Sequence, residues 1–144
     1  MTDSKKVFFD TAPFIYYLEN DGDFKVKVKK VIADNEEDDF VTSTVTVGEY
    51  LTGAFKNEDK SRVSDFRGMI SDYDFEVTPI SWDIAEEAAR IRTKFKGFKM
   101  MDSLQLATAK LTGCDLFVTN DFQLKQYEDI EVLVVDEIVM PVED

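Results

Sequence analysis

Two hydrophobic periods alternate along the chain. Short runs of continuous apolar residues give way to longer stretches in which apolar residues recur every three or four positions. Val7-Phe8-Phe9 is the first continuous run and reads as a strand buried on both faces. Thr11-Ala12-Pro13 then opens a helix, with Thr11 able to cap it and Pro13 tolerated in the first turn. Phe14, Ile15 and Leu18 give that helix its apolar face. The next stretch fits two templates. Phe24-Lys25-Val26-Lys27-Val28 alternates like a strand, yet Phe24, Val28, Val31 and Ile32 share one helical face. The longer pattern favours a helix that ends before the acidic loop 35–39.

Phe40-Val41-Thr42 is a short second strand. Helical spacing returns at Val47, Leu51, Ala54 and Phe55, and again at Val63, Phe66, Ile70 and Tyr73. A third strand over 75–80 is stopped by Pro79. Ser81 caps a long helix striped by Ile84, Ala88, Ile91 and Phe95 and interrupted at Gly97. Met101, Leu104, Ala107 and Leu111 make another helix, closed by Gly113. Leu116-Phe117-Val118 and Val132-Leu133-Val134-Val135 are the last strands. Apolar strands separated by helices predict an α/β fold with a mainly parallel sheet covered on both faces.

The length of 144 residues suits one domain over 1–144, with no repeat, low-complexity tract or linker to divide it. The tail 141–144 is expected to be loose. Histidine is absent, which removes Ser-His-Asp and Cys-His nucleophiles, histidine general bases and histidine-ligated metals. A single cysteine, Cys114, removes disulfide frameworks and cysteine-based zinc sites. Catalysis must then run on carboxylates, hydroxyls, lysines or an oxygen-bound metal. The formal net charge of −13 argues for solubility and against polyanions as partners. The segment Met1-Thr2-Asp3-Ser4-Lys5-Lys6 runs into the first strand without the apolar region of a signal peptide, and no apolar run is long enough to span a membrane. A reducing, cytoplasmic setting is the expectation.

In an open parallel sheet, ligands bind beyond the carboxyl ends of the strands, where strand order reverses. The informative acids are therefore those that follow strands. Asp10 ends the first strand and Asp121 follows the fourth. Glu49 lies in the first turn of the helix after the second strand, and Asp102 near the start of the helix before the fourth. Three of them have plainer explanations. Thr46-x-x-Glu49 can be a capping box, Asp102 can be a first-turn acid favoured by the helix dipole, and Asp121 can be a turn residue. Asp10 is harder to dismiss, because a carboxylate directly after a fully apolar strand is costly to desolvate. Carboxylates converging on one crevice repel one another, and raised pKa values or a cation must relieve them. With oxygen donors only, the cation is a hard one, Mg²⁺ or Mn²⁺.

These residues resemble the PIN-domain nucleases, most like the VapC-type toxins of toxin–antitoxin pairs. Four segments carry the resemblance in order: Phe8-Phe9-Asp10-Thr11, Thr42-Ser43-Thr44 through Gly48-Glu49-Tyr50, Asp102-Ser103-Leu104-Gln105-Leu106-Ala107-Thr108-Ala109, and Val118-Thr119-Asn120-Asp121. The resemblance implies a three-layer α/β/α sandwich with strand order 3-2-1-4-5 and a crevice between strands 1 and 4. It implies a Mg²⁺-dependent (or Mn²⁺-dependent) endoribonuclease, a small antitoxin partner and a homodimer. Asp10, Asp102 and Asp121 carry over as metal ligands and Glu49 as the fourth catalytic acid. Thr11, Thr119 and Asn120 carry over as candidates to fix a ligand carboxylate or touch phosphate.

The −13 charge departs from what an RNA-binding chain needs. Lys25, Lys27, Lys29 and Lys30 form one local basic cluster, and Arg90, Arg92, Lys94, Lys96 and Lys99 another. Either cluster reads as a solvated helix face with ion pairs such as Glu86 with Arg90, or as an RNA track. Two rival functions also stand. One is a phosphatase or phosphotransferase with Asp10 as nucleophile, although that pattern wants a second Asp where Ala12 stands. The other is a non-catalytic, PIN-like protein-binding module.

Overall fold

The computed structural model describes residues 4–142. The expectations for the first three residues and for 143–144 of the tail lie outside the described residues. The elements run β1 (Lys6–Phe9), α1 (Thr11–Leu18), α2 (Gly22–Asp34), β2 (Asp39–Ser43), α3 (Thr44–Lys56), α4 (Lys60–Asp72), β3 (Glu76–Thr78), α5 (Trp82–Lys94), α6 (Met100–Leu111), β4 (Leu116–Thr119) and β5 (Glu131–Val134). Short 3₁₀ turns follow at Phe122–Gln126 and Val135–Glu137. The sheet order is β3-β2-β1-β4-β5, and every pairing is parallel.

Strand β1 lies at the centre and is sealed from both sides. Val7, Phe8 and Phe9 are all fully buried. Phe8 stacks on Phe117 of β4, with ring centroids 5.2 Å apart, in the layer covered by α5 and α6. Val7 and Phe9 face the other layer, where Phe14, Val28, Phe40, Tyr50, Phe66 and Phe75 pack from α1 to α4 and the neighbouring strands. The three-layer sandwich thus follows from the continuous apolar strands, which need cover on two faces.

The helix favoured for the ambiguous stretch is observed as α2, ending before the acidic loop. Other local expectations are corrected. The third strand is shorter than 75–80: Phe75 turns into the core beside Phe14 and Phe40 instead of pairing in the sheet. Val135 leaves the last strand and starts a 3₁₀ turn. On α3 the buried stripe is Thr46, Tyr50 and Ala54, while Phe55 is 65% exposed. On α6 the buried surface runs from Ser103 to Ala109 apart from half-buried Leu104, and Met101 and Leu111 lie outside it. A helix wedged between sheet and α5 is covered on more than one side, so a single stripe is the wrong template for it.

Asp10 caps α1, with its side chain accepting from the Thr11 backbone N–H; Thr11 is already the first helical residue. The expected cap at Ser81 holds, its Oγ accepting from Ile84 N–H at 3.2 Å. Ser81→Ala is expected to cost about 1 kcal/mol, read from the urea midpoint.

Candidate active site

Strand order reverses between β1 and β4, and Asp10 sits at the carboxyl end of β1 on that seam. Its backbone N–H bonds to the Val118 carbonyl at 2.9 Å, continuing the β1–β4 ladder by one residue. The carboxylate is held from three sides by neutral donors. Oδ1 accepts from Thr11 N–H at 2.9 Å and from Gln105 Nε2 at 3.2 Å. Oδ2 accepts from Thr119 Oγ1 at 2.8 Å. Desolvation still dominates, and it pushes the Asp10 pKa up to about 6; the hydrogen bonds from Thr119 and Thr11 oppose this, and the charges of Asp102 and Glu49 add to it.

Glu49 is exposed in the second turn of α3, not the first. Ser43 is the cap of that helix, with its Oγ accepting from Val45 N–H at 3.1 Å. The Thr46–Glu49 capping box therefore does not exist. Glu49 Oε1 instead accepts from Thr11 Oγ1 at 2.6 Å, a contact across 38 residues of chain that turns it toward Asp10.

Asp102 does behave as a first-turn acid, accepting from the Lys99 backbone N–H at 3.1 Å. It is half-buried, and its pKa is raised by desolvation first and by the Asp121 charge second, against the Lys99 backbone bond. Asp121 caps the 3₁₀ turn through Gln123 N–H at 3.0 Å, and its own N–H bonds to Thr119 Oγ1 at 3.1 Å. Thr119 thus ties Asp10 to the Asp121 backbone.

The four acids fall on one end of the sheet and act on one another electrostatically. They do not close on a point: among the described residues, no three acidic side chains are grouped to hold a metal ion as they stand. Thr11 and Thr119 donate to Glu49 and Asp10 respectively. Asn120 does not touch the acids. Its amide bonds to Tyr16 Oη at 2.8 Å and accepts from Asp136 N–H at 2.8 Å, pinning α1 to the turn after β5.

A buried polar chain beneath the acids was not singled out from sequence. Gln105 is 1% exposed and Ser43 and Thr46 are fully buried. Gln105 Nε2 donates to Thr46 Oγ1 at 2.7 Å as well as to Asp10, and its Oε1 accepts from Ser43 Oγ. Thr46 Oγ1 lies 3.4 Å from Thr11 Oγ1, which closes the chain to Glu49. The one signal available was a glutamine within an otherwise apolar helix face, Leu104-Gln105-Leu106-Ala107.

Elsewhere, Cys114 lies before β4, away from the acids, and burial pushes its thiol up to about 11, so it offers no thiolate at neutral pH. The basic clusters are partly consumed. Arg90 pairs with Glu86 at 3.1 Å, as its spacing predicted, and also with Glu87 at 3.0 Å; Lys30 pairs with Asp34 at 2.6 Å. No helix among the described residues is long and apolar enough to cross a membrane.

A parallel α/β/α sandwich with acids gathered at its switch point defines a narrow class of proteins, and the comparisons agree. The family model for the PIN domain matches residues 7–130, and the chain belongs to the PIN domain family. By sequence, no curated protein matches it. Among solved structures, it resembles a chain of a toxin–antitoxin complex from Klebsiella pneumoniae at 28% identity and TM-score 0.67, covering 92% of this chain and 99% of that one. A chain of DNA-bound VapBC from Salmonella typhimurium gives 20% identity and TM-score 0.75, covering 91% and 98%. The Mycobacterium tuberculosis toxin VapC20, which cleaves the sarcin–ricin loop, gives 15% identity and TM-score 0.63, covering 77% and 86%. The last two likenesses speak for the fold alone.

Proposed function

We propose that the chain is a single-domain, divalent-metal-dependent endoribonuclease acting in the cytoplasm as the toxin of a toxin–antitoxin pair. The observation that carries this reading is Asp10: a desolvated carboxylate at the switch point, tied by neutral donors, with the charges of Asp102 and Glu49 bearing on it. Such a group is costly to ionise unless a cation shares the site. The donors are all oxygen, which suits Mg²⁺ or Mn²⁺. Asp10, Asp102 and Asp121 would hold the ion, whose charge would offset their mutual repulsion.

When bound, the ion would supply a water of lowered pKa and neutralise charge growing on the scissile phosphate. Glu49, its Oε1 fixed by Thr11, keeps Oε2 to accept the proton from the attacking water. No histidine is needed for that step. The partner is read as a small antitoxin, on the strength of the toxin–antitoxin neighbours; the homodimer rests on the family resemblance alone. With a net charge of −13, RNA contact is expected to be short and its salt dependence shallow. The phosphotransfer alternative fares worse, since Ala12 stands where a second Asp is wanted.

Two measurements test the reading. Asp102→Asn should fold and lose cleavage of RNA in Mg²⁺ or Mn²⁺. Free Mn²⁺ at 100 times its Kd should stabilise the wild-type fold by about 2.7 kcal/mol. A melting curve unmoved by millimolar Mn²⁺ would point to the non-catalytic module.

A further inference from the structure

We infer that Gln105 is a positioning residue that saturates Oδ1 of Asp10 and so leaves Oδ2 as the oxygen with which Asp10 takes a cation. The inference rests on the proposed reading of the site as a metal centre. A carboxylate oxygen has two in-plane lone pairs. Oδ1 spends both, on Thr11 N–H and on Gln105 Nε2. Oδ2 spends one, on Thr119 Oγ1, and keeps the other. The free lone pair is therefore on the oxygen that Thr119 holds, and Thr119 also holds the backbone of Asp121.

The direction of the Gln105 amide is fixed from behind. Val45 N–H donates to Ser43 Oγ, so the Ser43 hydroxyl proton is free to go to Gln105 Oε1. That sets the carbonyl end of the amide toward β2 and α3 and the NH₂ end toward Asp10. The second NH₂ proton goes to Thr46 Oγ1. A turned amide would set Oε1 against the Asp10 carboxylate and leave Ser43 without its acceptor. Gln105 lies three residues after Asp102 on α6, on the helix face that enters the sheet, so one helix supplies both an acid of the set and the group that orients Asp10. An uncharged donor suits this task. A lysine or arginine in its place would neutralise Asp10 and compete with the ion.

The test uses Gln105→Leu, which keeps the bulk and removes both donors. Mn²⁺ affinity is measured by isothermal titration calorimetry, and RNA cleavage kinetics are measured at saturating Mn²⁺. Circular dichroism and melting of the metal-free protein confirm the fold. The expected result is a folded protein with Mn²⁺ affinity lowered about 10- to 100-fold, with kcat reduced and KM for RNA unchanged. If Gln105→Leu does not fold, Ser43→Ala carries the test. It leaves Asp10 and Gln105 in place but removes the hydroxyl that fixes Gln105 Oε1, and Mn²⁺ affinity is again expected to fall. A folded variant that binds Mn²⁺ as tightly as wild type overturns the assignment of Gln105 alone. Wild-type protein that binds no Mn²⁺ overturns the metal-centre reading and this assignment with it.

Discussion

Asp10→Asn is expected to melt higher than wild type in metal-free buffer at pH 7 while losing RNA cleavage. The sign follows from the shift. In the unfolded chain Asp10 ionises near 3.8, whereas in the fold it keeps its proton up to about 6. Between those values the folded state binds more protons, so stability falls as pH rises through the window, and the deficit is complete above it. At about 1.4 kcal/mol per tenfold change in ionisation constant, the deficit at neutral pH is up to about 3 kcal/mol. Asparagine keeps an oxygen for Thr11 and Gln105, and the Thr119 hydroxyl can turn to accept from its amide. The variant therefore removes the charge with little other change. Its advantage should vanish below about pH 4, where wild-type Asp10 is neutral too. Added Mn²⁺ should reverse the order, since only wild type gains from binding. Loss of a metal-holding carboxylate is expected to cost about 3 kcal/mol of transition-state stabilisation, roughly a hundredfold in rate. Urea midpoints across pH 4–8 and a cleavage assay check both halves. An Asn variant that is less stable at pH 7 would deny that Asp10 stores an unrelieved charge.

The second large effect is expected in the core. Phe9→Ala should cost about 3–5 kcal/mol, measured by urea denaturation. Phe9 is fully buried, with ring centroids 5.9 Å from Phe14, 5.6 Å from Phe40 and 5.3 Å from Phe75, all edge-on. Those rings come from β1, α1, β2 and the residue before β3, so a void here loosens four segments at once. Small domains hold only about 5–15 kcal/mol in total. Phe55→Ala is the control: that ring is 65% exposed, and its removal should change stability by no more than about 0.5 kcal/mol.

These two residues also mark how much the bare sequence disclosed. Phe9 and its neighbours Val7 and Phe8 were legible as a doubly covered strand, because continuous apolar runs have few other uses. The parallel sheet and its layers followed. Asp10 was legible for the complementary reason, as a charge directly after such a run. Glu49 was legible only by resemblance, since its spacing from Thr46 fitted a helix cap equally well. The structure removes the cap reading: Ser43 caps α3, and Glu49 bonds to Thr11, a partner 38 positions away that no local pattern reveals. Phe55 failed because helical spacing names a stripe without saying which of two adjacent stripes meets the core, and Tyr50 took the place. Gln105, Ser43 and Thr46 were missed because their value lies in one another. Each alone is an ordinary polar residue, and only the fold turns them into a continuous chain of donors and acceptors.

The central place of β1 carries a consequence for synthesis. Its register partner in β2 is within reach early, with Phe8 against Val41, but on its other side Phe8 meets Phe117. A chain emerging from the ribosome must hold one bare edge of its most apolar strand until more than a hundred further residues have been made, and loop closure over that span is slow. The seam between Asp10 and Asp121 is sealed in that same final pairing. A chain that stops short of β4 thus lacks the pairing that brings the carboxyl ends of β1 and β4 together.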